Sequence, residues 1–245
     1  MKQKLLALAA LSFASSFSLA NDAAPHWTYG EVKEWGTLAP AYAECKLGKT
    51  QSPIDIQTKS VQKASLTPIK TTYKAAAAEV VNNGHTIQVN LTDAGTAIVP
   101  SGEYQLLQFH FHTPSEEKIN GKNFPLVAHL VHKNADGKLA VIAVLFKEGK
   151  ENPALTSIFA TMTAKEGKAA LPGSFDTTSL LPATLGYYSF TGSLTTPPCS
   201  EGVAWQVLST PVEISKTQIA TFHKIYKNNA RPVQPLNGRV VQESS

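Results

Sequence analysis

From Leu107 to His112 the chain reads Leu-Gln-Phe-His-Phe-His, apolar and polar residues in strict alternation. Side chains along a strand point to opposite faces in turn, so a run of period two fits a half-buried β-strand and not a helix. The same rule sorts the chemistry. His110 and His112 leave one face together with Gln108, while Phe109 and Phe111 leave the other and belong in a core.

Further runs of strand length follow the same logic: Thr86–Leu91 alternates, and Leu126–Val131, Leu139–Phe146, Tyr187–Thr191 and Val203–Leu208 are rich in apolar and β-branched residues. Asn83-Gly84, Pro100, Gly121, Asp136-Gly137 and Pro172-Gly173 punctuate the gaps. Helix signals are few. Asn152-Pro153 reads as an N-cap and first residue for a helix through Met162, and Ser215-Lys216-Thr217-Gln218 as a capping box for one through about Tyr226. No repeat or linker divides the chain, which predicts one α+β domain around a large, mainly antiparallel sheet with a few short peripheral helices.

Charge excludes other classes. Only 16% of the 245 residues are charged, too few for a disordered polyelectrolyte, and a net charge of +4 without any Lys/Arg block does not fit a nucleic-acid binder. The N-terminus is set apart. Lys2 and Lys4 precede a short apolar run from Leu5 to Phe17, and Ser18-Leu19-Ala20 fits a small-x-small cleavage site. Residues 1–20 are expected to be a cleaved signal peptide and 21–245 the domain, placing the protein in the periplasm or outside the cell. The run is too short to span a bilayer, and no Cys follows the cleavage site, so no membrane anchor is expected. In an exported chain the even cysteine count, Cys45 and Cys199, points to a disulfide.

The remaining chemistry lies in histidine. On Leu126–His132, His129 shares a face with Val127 and Val131, and His132 points the opposite way. If this strand neighbours the first, His110, His112 and His129 converge. Three neutral imidazoles suit zinc with a fourth position open, the catalytic arrangement rather than the closed structural one. Taken alone, His-x-His plus one distant His also fits hydrogen-bonded strand histidines without a metal.

Six segments resolve the choice. Gln51–Ile56, Asn82–His85, Gln108–His112, His129–His132, Ser193–Pro198 and Arg231–Leu236 resemble, in order, segments of the α-class carbonic anhydrases, particularly the exported bacterial members. The resemblance runs from His26-Trp27 to about Arg239. It implies a twisted sheet of about ten strands with zinc at the base of a conical cavity, and a disulfide between Cys45 and Cys199.

It implies roles as well. His110, His112 and His129 would hold Zn2+, whose bound hydroxide, at a water pKa of ~7 long established for this family, adds to CO2 to give bicarbonate and a proton. Thr195 would be the gatekeeper hydroxyl and Glu116 its acceptor, since an ionised carboxylate only accepts. Val131, Val141, Leu194, Val203 and Trp205 would line a dry wall for CO2, and Thr196 would reach bicarbonate. His85 would shuttle protons, with Tyr29, Asn83 and Gln88 holding the water chain and Gln108 supporting His110. An aromatic sulfonamide is expected to inhibit such a site. A non-catalytic relative of these enzymes and an exported zinc-binding protein are the alternatives; the three intact ligands argue against the first, and the second would not need Thr195, Glu116 and His85 together. Monomer or homodimer is left open.

One position departs from the pattern. The family usually has a glutamate two residues before the third ligand, and here Val127 stands there. A metal-binding histidine normally has an acceptor for its other N–H. At His129 a water, a backbone carbonyl or another side chain could serve, and a carboxylate introduced at position 127 is expected to slow zinc loss.

Overall fold

A computed structural model describes residues 25–244; the expected signal peptide and its cleavage point lie outside the described residues. Ten strands form one continuous path: β1 (Gln62–Ala64), β2 (Ala77–Asn82), β3 (Ile87–Thr92), β4 (Gly102–His112), β5 (Leu126–Lys133), β6 (Leu139–Glu148), β7 (Gly167–Ala170), β8 (Tyr187–Ser193), β9 (Glu201–Leu208) and β10 (Gln242–Ser244). Their spatial order is β7-β2-β3-β4-β5-β6-β9-β8-β10-β1. Three short strands join this sheet: Thr96–Val99 on β4, Lys70–Thr71 beside it, and Val212–Ile214 on β6. Pairing is antiparallel except at β6–β9, β10–β1 and β6 with Val212–Ile214. A small second sheet joins Asp55–Ile56, Lys118–Ile119 and Lys122–Asn123.

The two faces of the central strands bury different partners. Phe109 and Phe111 of β4, Ala128 and Leu130 of β5, and Ile142 and Val144 of β6 pack with Leu155, Ile158, Phe159, Ile219 and Phe222 from the helices. Each fully buried Phe contributes roughly 2–3 kcal/mol of apolar burial. The opposite face carries a second cluster in which Val127, Val131, Val141, Ala143 and Trp205 meet Ile54 and Ile56. The helices therefore thicken one side of the sheet and leave the histidine side open for a cavity.

The two main helices begin at the expected residues. Pro153–Thr161 is capped by Asn152, whose side chain accepts from the Ala154 amide. Lys216–His223 has both bonds of the Ser215/Gln218 capping box and ends three residues before the expected Tyr226. Two single-turn helices, Trp35–Leu38 and Glu44–Leu47, are additional; four residues carry no readable period. Cys45 and Cys199 form the disulfide, tying the second of these turns to the loop after β8.

Candidate metal centre and catalytic cavity

β4 and β5 are antiparallel neighbours, and His129 is paired directly with His110, as Val127 is with His112. Strand alternation then puts all three imidazoles on one face. One nitrogen from each lies within 4.8 Å of the others, so the three rings enclose one point.

Each ring is held by its other nitrogen. His110 Nδ1 is 2.9 Å from Gln108 Oε1, and His112 Nδ1 is 2.8 Å from the Asn229 carbonyl. His129 Nε2 is 3.1 Å from Glu117 Oε2. All three outer partners are acceptors, so the ring nitrogens facing them are the protonated ones, and the inward nitrogens keep their lone pairs. His112 Nε2 is buried without any protein partner. A buried polar atom is normally satisfied, and an orphan lone pair aimed among two others suits a cation. Burial pushes the pKa of His110 down to about 3 and that of His112 well below its usual value, each helped by the neighbouring imidazoles. Neutral imidazoles are the form a metal requires. His129 moves the other way: burial lowers its pKa, but Glu117 and Glu116 together outweigh that and raise it. The donor set fits zinc.

Glu116 is buried beside this group. Its Oε1 accepts from the Arg231 amide at 2.7 Å, and its Oε2 is 3.9 Å from His129 Nδ1. Burial raises its pKa to about 7; His129, the Arg231 amide and the Thr195 hydroxyl act in the opposite direction. Thr195 lines the cavity, and Glu116, which does not, lies within hydrogen-bond reach of the Thr195 hydroxyl.

The cavity, about 180 Å³, is lined by the three histidines, by Val131, Val141, Leu194 and Trp205 on its apolar side, and by Thr196. Tyr29, Asn83, His85, Gln88 and Gln108 complete the polar side. Val203 is the exception among the expected wall residues. It is 2% exposed in the apolar cluster and does not line the cavity; Trp205, two residues along the same face of β9, does, and Val203 packs in the cluster behind the wall. His85 is half-buried and stacks on Trp27 with ring centroids 3.7 Å apart. Its pKa is lowered by partial burial and by His26, against the pull of Glu166. Of the expected water-chain residues, Asn83 Oδ1 accepts from the amides of His85 and Thr86, and Gln88 donates to Asn90.

The roles of three residues were not legible beforehand, although Arg231 opens one of the six matched segments. Glu117 supplies the acceptor for His129 that Val127 cannot; the acceptor is another side chain, and the expectation that a carboxylate at 127 would strengthen the site falls. Asn229 holds His112 with its carbonyl and the ends of neighbouring segments with its side chain, through Thr113, Phe111 and His85. Arg231 donates to Gln51, Ser52 and Cys45 while its amide holds Glu116. Asn229 and Arg231 lie more than 110 residues from those partners, and no local period marks them.

Residues 31–245 match the eukaryotic-type carbonic anhydrase family. A carbonic anhydrase of Neisseria gonorrhoeae is 44% identical over 245 residues, covering 98% of this chain and 96% of its own. One from Pectobacterium atrosepticum is 43% identical over 237 residues, covering 95% and 96%. The α-carbonic anhydrase of Thermovibrio ammonificans, solved with sulfanilamide, superposes with a TM-score of 0.86 at 47% identity, covering 89% of this chain and 98% of that one. On fold, site geometry and sequence together, this chain belongs to the α-class carbonic anhydrases.

Proposed function

We propose that the cavity carries out the reversible hydration of CO2 to bicarbonate and a proton, with zinc held by His110 Nε2, His112 Nε2 and His129 Nδ1. The observation that carries this reading is the convergence of three imidazoles whose outer nitrogens are all committed to acceptors. Zinc bound there supplies a water acidified to a near-neutral pKa and a positive charge that opposes the effect of burial on Glu116.

The chain's own residues supply direction. The ionised Glu116 carboxylate takes the Thr195 proton, which leaves the Thr195 oxygen able to accept only from the nucleophile. That fixes which lone pair points into the cavity. Val131, Val141, Leu194 and Trp205 offer an uncharged, dipole-free molecule a wall without competing hydrogen bonds. Thr196, on the same loop and lining the cavity, donates to the charged product. His85 exports the proton. Its lowered pKa favours release to buffer once a proton has arrived, and its half-exposed ring borders both cavity and solvent.

Residues 1–20 act as a signal peptide and 21–245 as the mature domain, which works in the periplasm or outside the cell. The N-terminal pattern and the disulfide support this. Among the described residues no helix is long and apolar enough to cross a membrane.

Stopped-flow CO2 hydration with zinc content measured on the same sample tests the reading. One zinc per chain and rapid hydration are expected. His110→Ala should lose the metal and nearly all hydration yet stay folded, since Phe109 and Phe111 on the other face are untouched. A folded variant with full zinc and full rate would refute the ligand assignment.

A further inference from the structure

The carboxylate that serves His129 comes from a place a strand pattern does not suggest. Both oxygens of Glu117 stand 3.1 Å from His129 Nε2, and Oε2 has hydrogen-bond geometry. Glu117 is fully buried, and His129 is its one ion-pairing partner among the described residues. Burying a carboxylate without a partner costs several kcal/mol, so a buried glutamate with a single polar neighbour is tied closely to that neighbour. No residue on the cavity face of β5 can replace it, since the positions two before and two after His129 are Val127 and Val131.

The backbone around Glu117 is fixed on both sides. The Ser115 hydroxyl donates to the Glu117 carbonyl at 2.7 Å and itself accepts from the Phe124 amide at 2.9 Å. The Asn123 side chain donates to the Ser115 carbonyl, and the Lys118 amide donates to the Ile54 carbonyl. Lys118 also pairs in register with Asp55 in the small second sheet. Glu117 therefore enters from a braced loop between β4 and β5, not from the strand that carries the ring it meets. Its neighbour Glu116 turns to the Arg231 amide and Thr195 instead. Two adjacent glutamates thus address opposite edges of one imidazole, Glu116 near Nδ1 and Glu117 at Nε2.

We propose that Glu117 is the positioning residue of the metal centre: its carboxylate fixes the Nε2–H tautomer and the ring orientation of His129, so that Nδ1 faces the point shared with His110 and His112. This rests on the zinc reading above. A carboxylate acceptor binds an imidazole N–H more strongly than a neutral one and makes the opposite nitrogen a better ligand. Its effect belongs to metal retention, and a side chain that merely filled space would not produce it.

The test compares zinc-loaded parent, Glu117→Ala and Glu117→Gln, following zinc transfer to a chromogenic chelator and the thermal midpoint of each metal-free protein. Glu117→Ala should release zinc about 10- to 100-fold faster, and Glu117→Gln, which keeps the volume and a weaker acceptor, by a smaller factor. The metal-free midpoint of Glu117→Gln should stay near that of the parent, because the amide keeps the volume and an acceptor oxygen, whereas Glu117→Ala opens a cavity and leaves the His129 N–H unpaired, and its midpoint should fall. Cobalt-substituted Glu117→Ala should show an altered visible spectrum. Release within twofold of the parent overturns the proposal. So does faster release that is equal in both variants and matched by a lowered metal-free midpoint in Glu117→Gln as well, which would mean packing alone. If Glu117→Ala does not fold, Glu117→Gln decides by the same release criterion. A parent that fails to bind one zinc would instead overturn the metal reading itself.

Discussion

His85 is held by an aromatic stack on Trp27, with His26 at a ring distance of 5.6 Å, and it borders the cavity without touching the three ligand imidazoles. Hydration at the metal centre and export of the proton are therefore separable. His85→Ala should lower kcat by roughly 10- to 100-fold in weak buffer and leave kcat/KM for CO2 nearly intact, with added imidazole restoring much of the loss. Equal falls in both parameters without rescue would remove the shuttle role. At this scale the sequence was most informative where function coincides with a local period. His110 and His112 declare a shared face by being two apart. His85 and Thr195 lie within recognisable short segments. Glu117 was invisible because a loop returns it to His129 from twelve residues away, and no periodicity describes a loop. Asn229 was invisible for a related reason, since it holds His112 through its backbone carbonyl, an atom every residue possesses.

β5 shows what an element adds to its residues. On its cavity face Val127 packs with Ile54 and Ile56, and the N–H of His129 is already taken by Glu117. Val127→Glu would place a second carboxylate in an apolar cluster with no proton left to accept. The variant should lose several kcal/mol of stability and gain no zinc retention; denaturant unfolding and chelator transfer measure the two separately. A folded Val127→Glu protein that held zinc more tightly would mean that Glu117 leaves His129 unsatisfied. The opposite face of the same strand carries His132, bonded through Nε2 to the Tyr73 hydroxyl at 2.6 Å. Burial pushes its pKa down to about 4. The folded state thus binds this proton later than the unfolded state does. The associated stability is complete above about pH 6.5 and is lost as pH falls from there toward 4, by roughly 1.4 kcal/mol per pH unit. In urea titrations across this range, His132→Gln should show a shallower decline than the parent by about one proton. Identical slopes would show that His132 is already protonated in the folded protein. A strand of this kind was legible because its apolar, β-branched run extends over six residues. The single-turn helices and the small second sheet were not, being shorter than any period they could display.

For the whole molecule, the cavity is closed by segments far apart in sequence, and they meet around one strut. Arg231 donates to the Cys45 carbonyl and to Ser52, its amide holds Glu116, and the Cys45–Cys199 disulfide anchors the loop on which Thr195 and Thr196 lie. Gln51 donates to the Cys199 carbonyl and adds a second tie to that loop. The metal face of β4 and β5 has its own sheet contacts and does not depend on this closure. Removing the disulfide with Cys45→Ser/Cys199→Ser should therefore act unequally on the two halves of the site. The bond spans 154 residues. A cross-link of that span restricts the unfolded chain by roughly 5 kcal/mol as an upper estimate. At about 2–4 °C per kcal/mol for a chain of this size, that upper estimate puts the fall in the thermal midpoint at no more than roughly 10–20 °C. Zinc stoichiometry should survive, because His110, His112 and His129 remain on paired strands. Hydration should slow, because Thr195 sits four residues from Cys199 and loses part of the tether that sets its place above Glu116. Calorimetry, zinc analysis and stopped-flow kinetics on the same double variant separate these effects. Loss of zinc in parallel with rate would show that the strut supports the metal centre directly; an unchanged midpoint would show that Gln51 and Arg231 alone hold the loop closed.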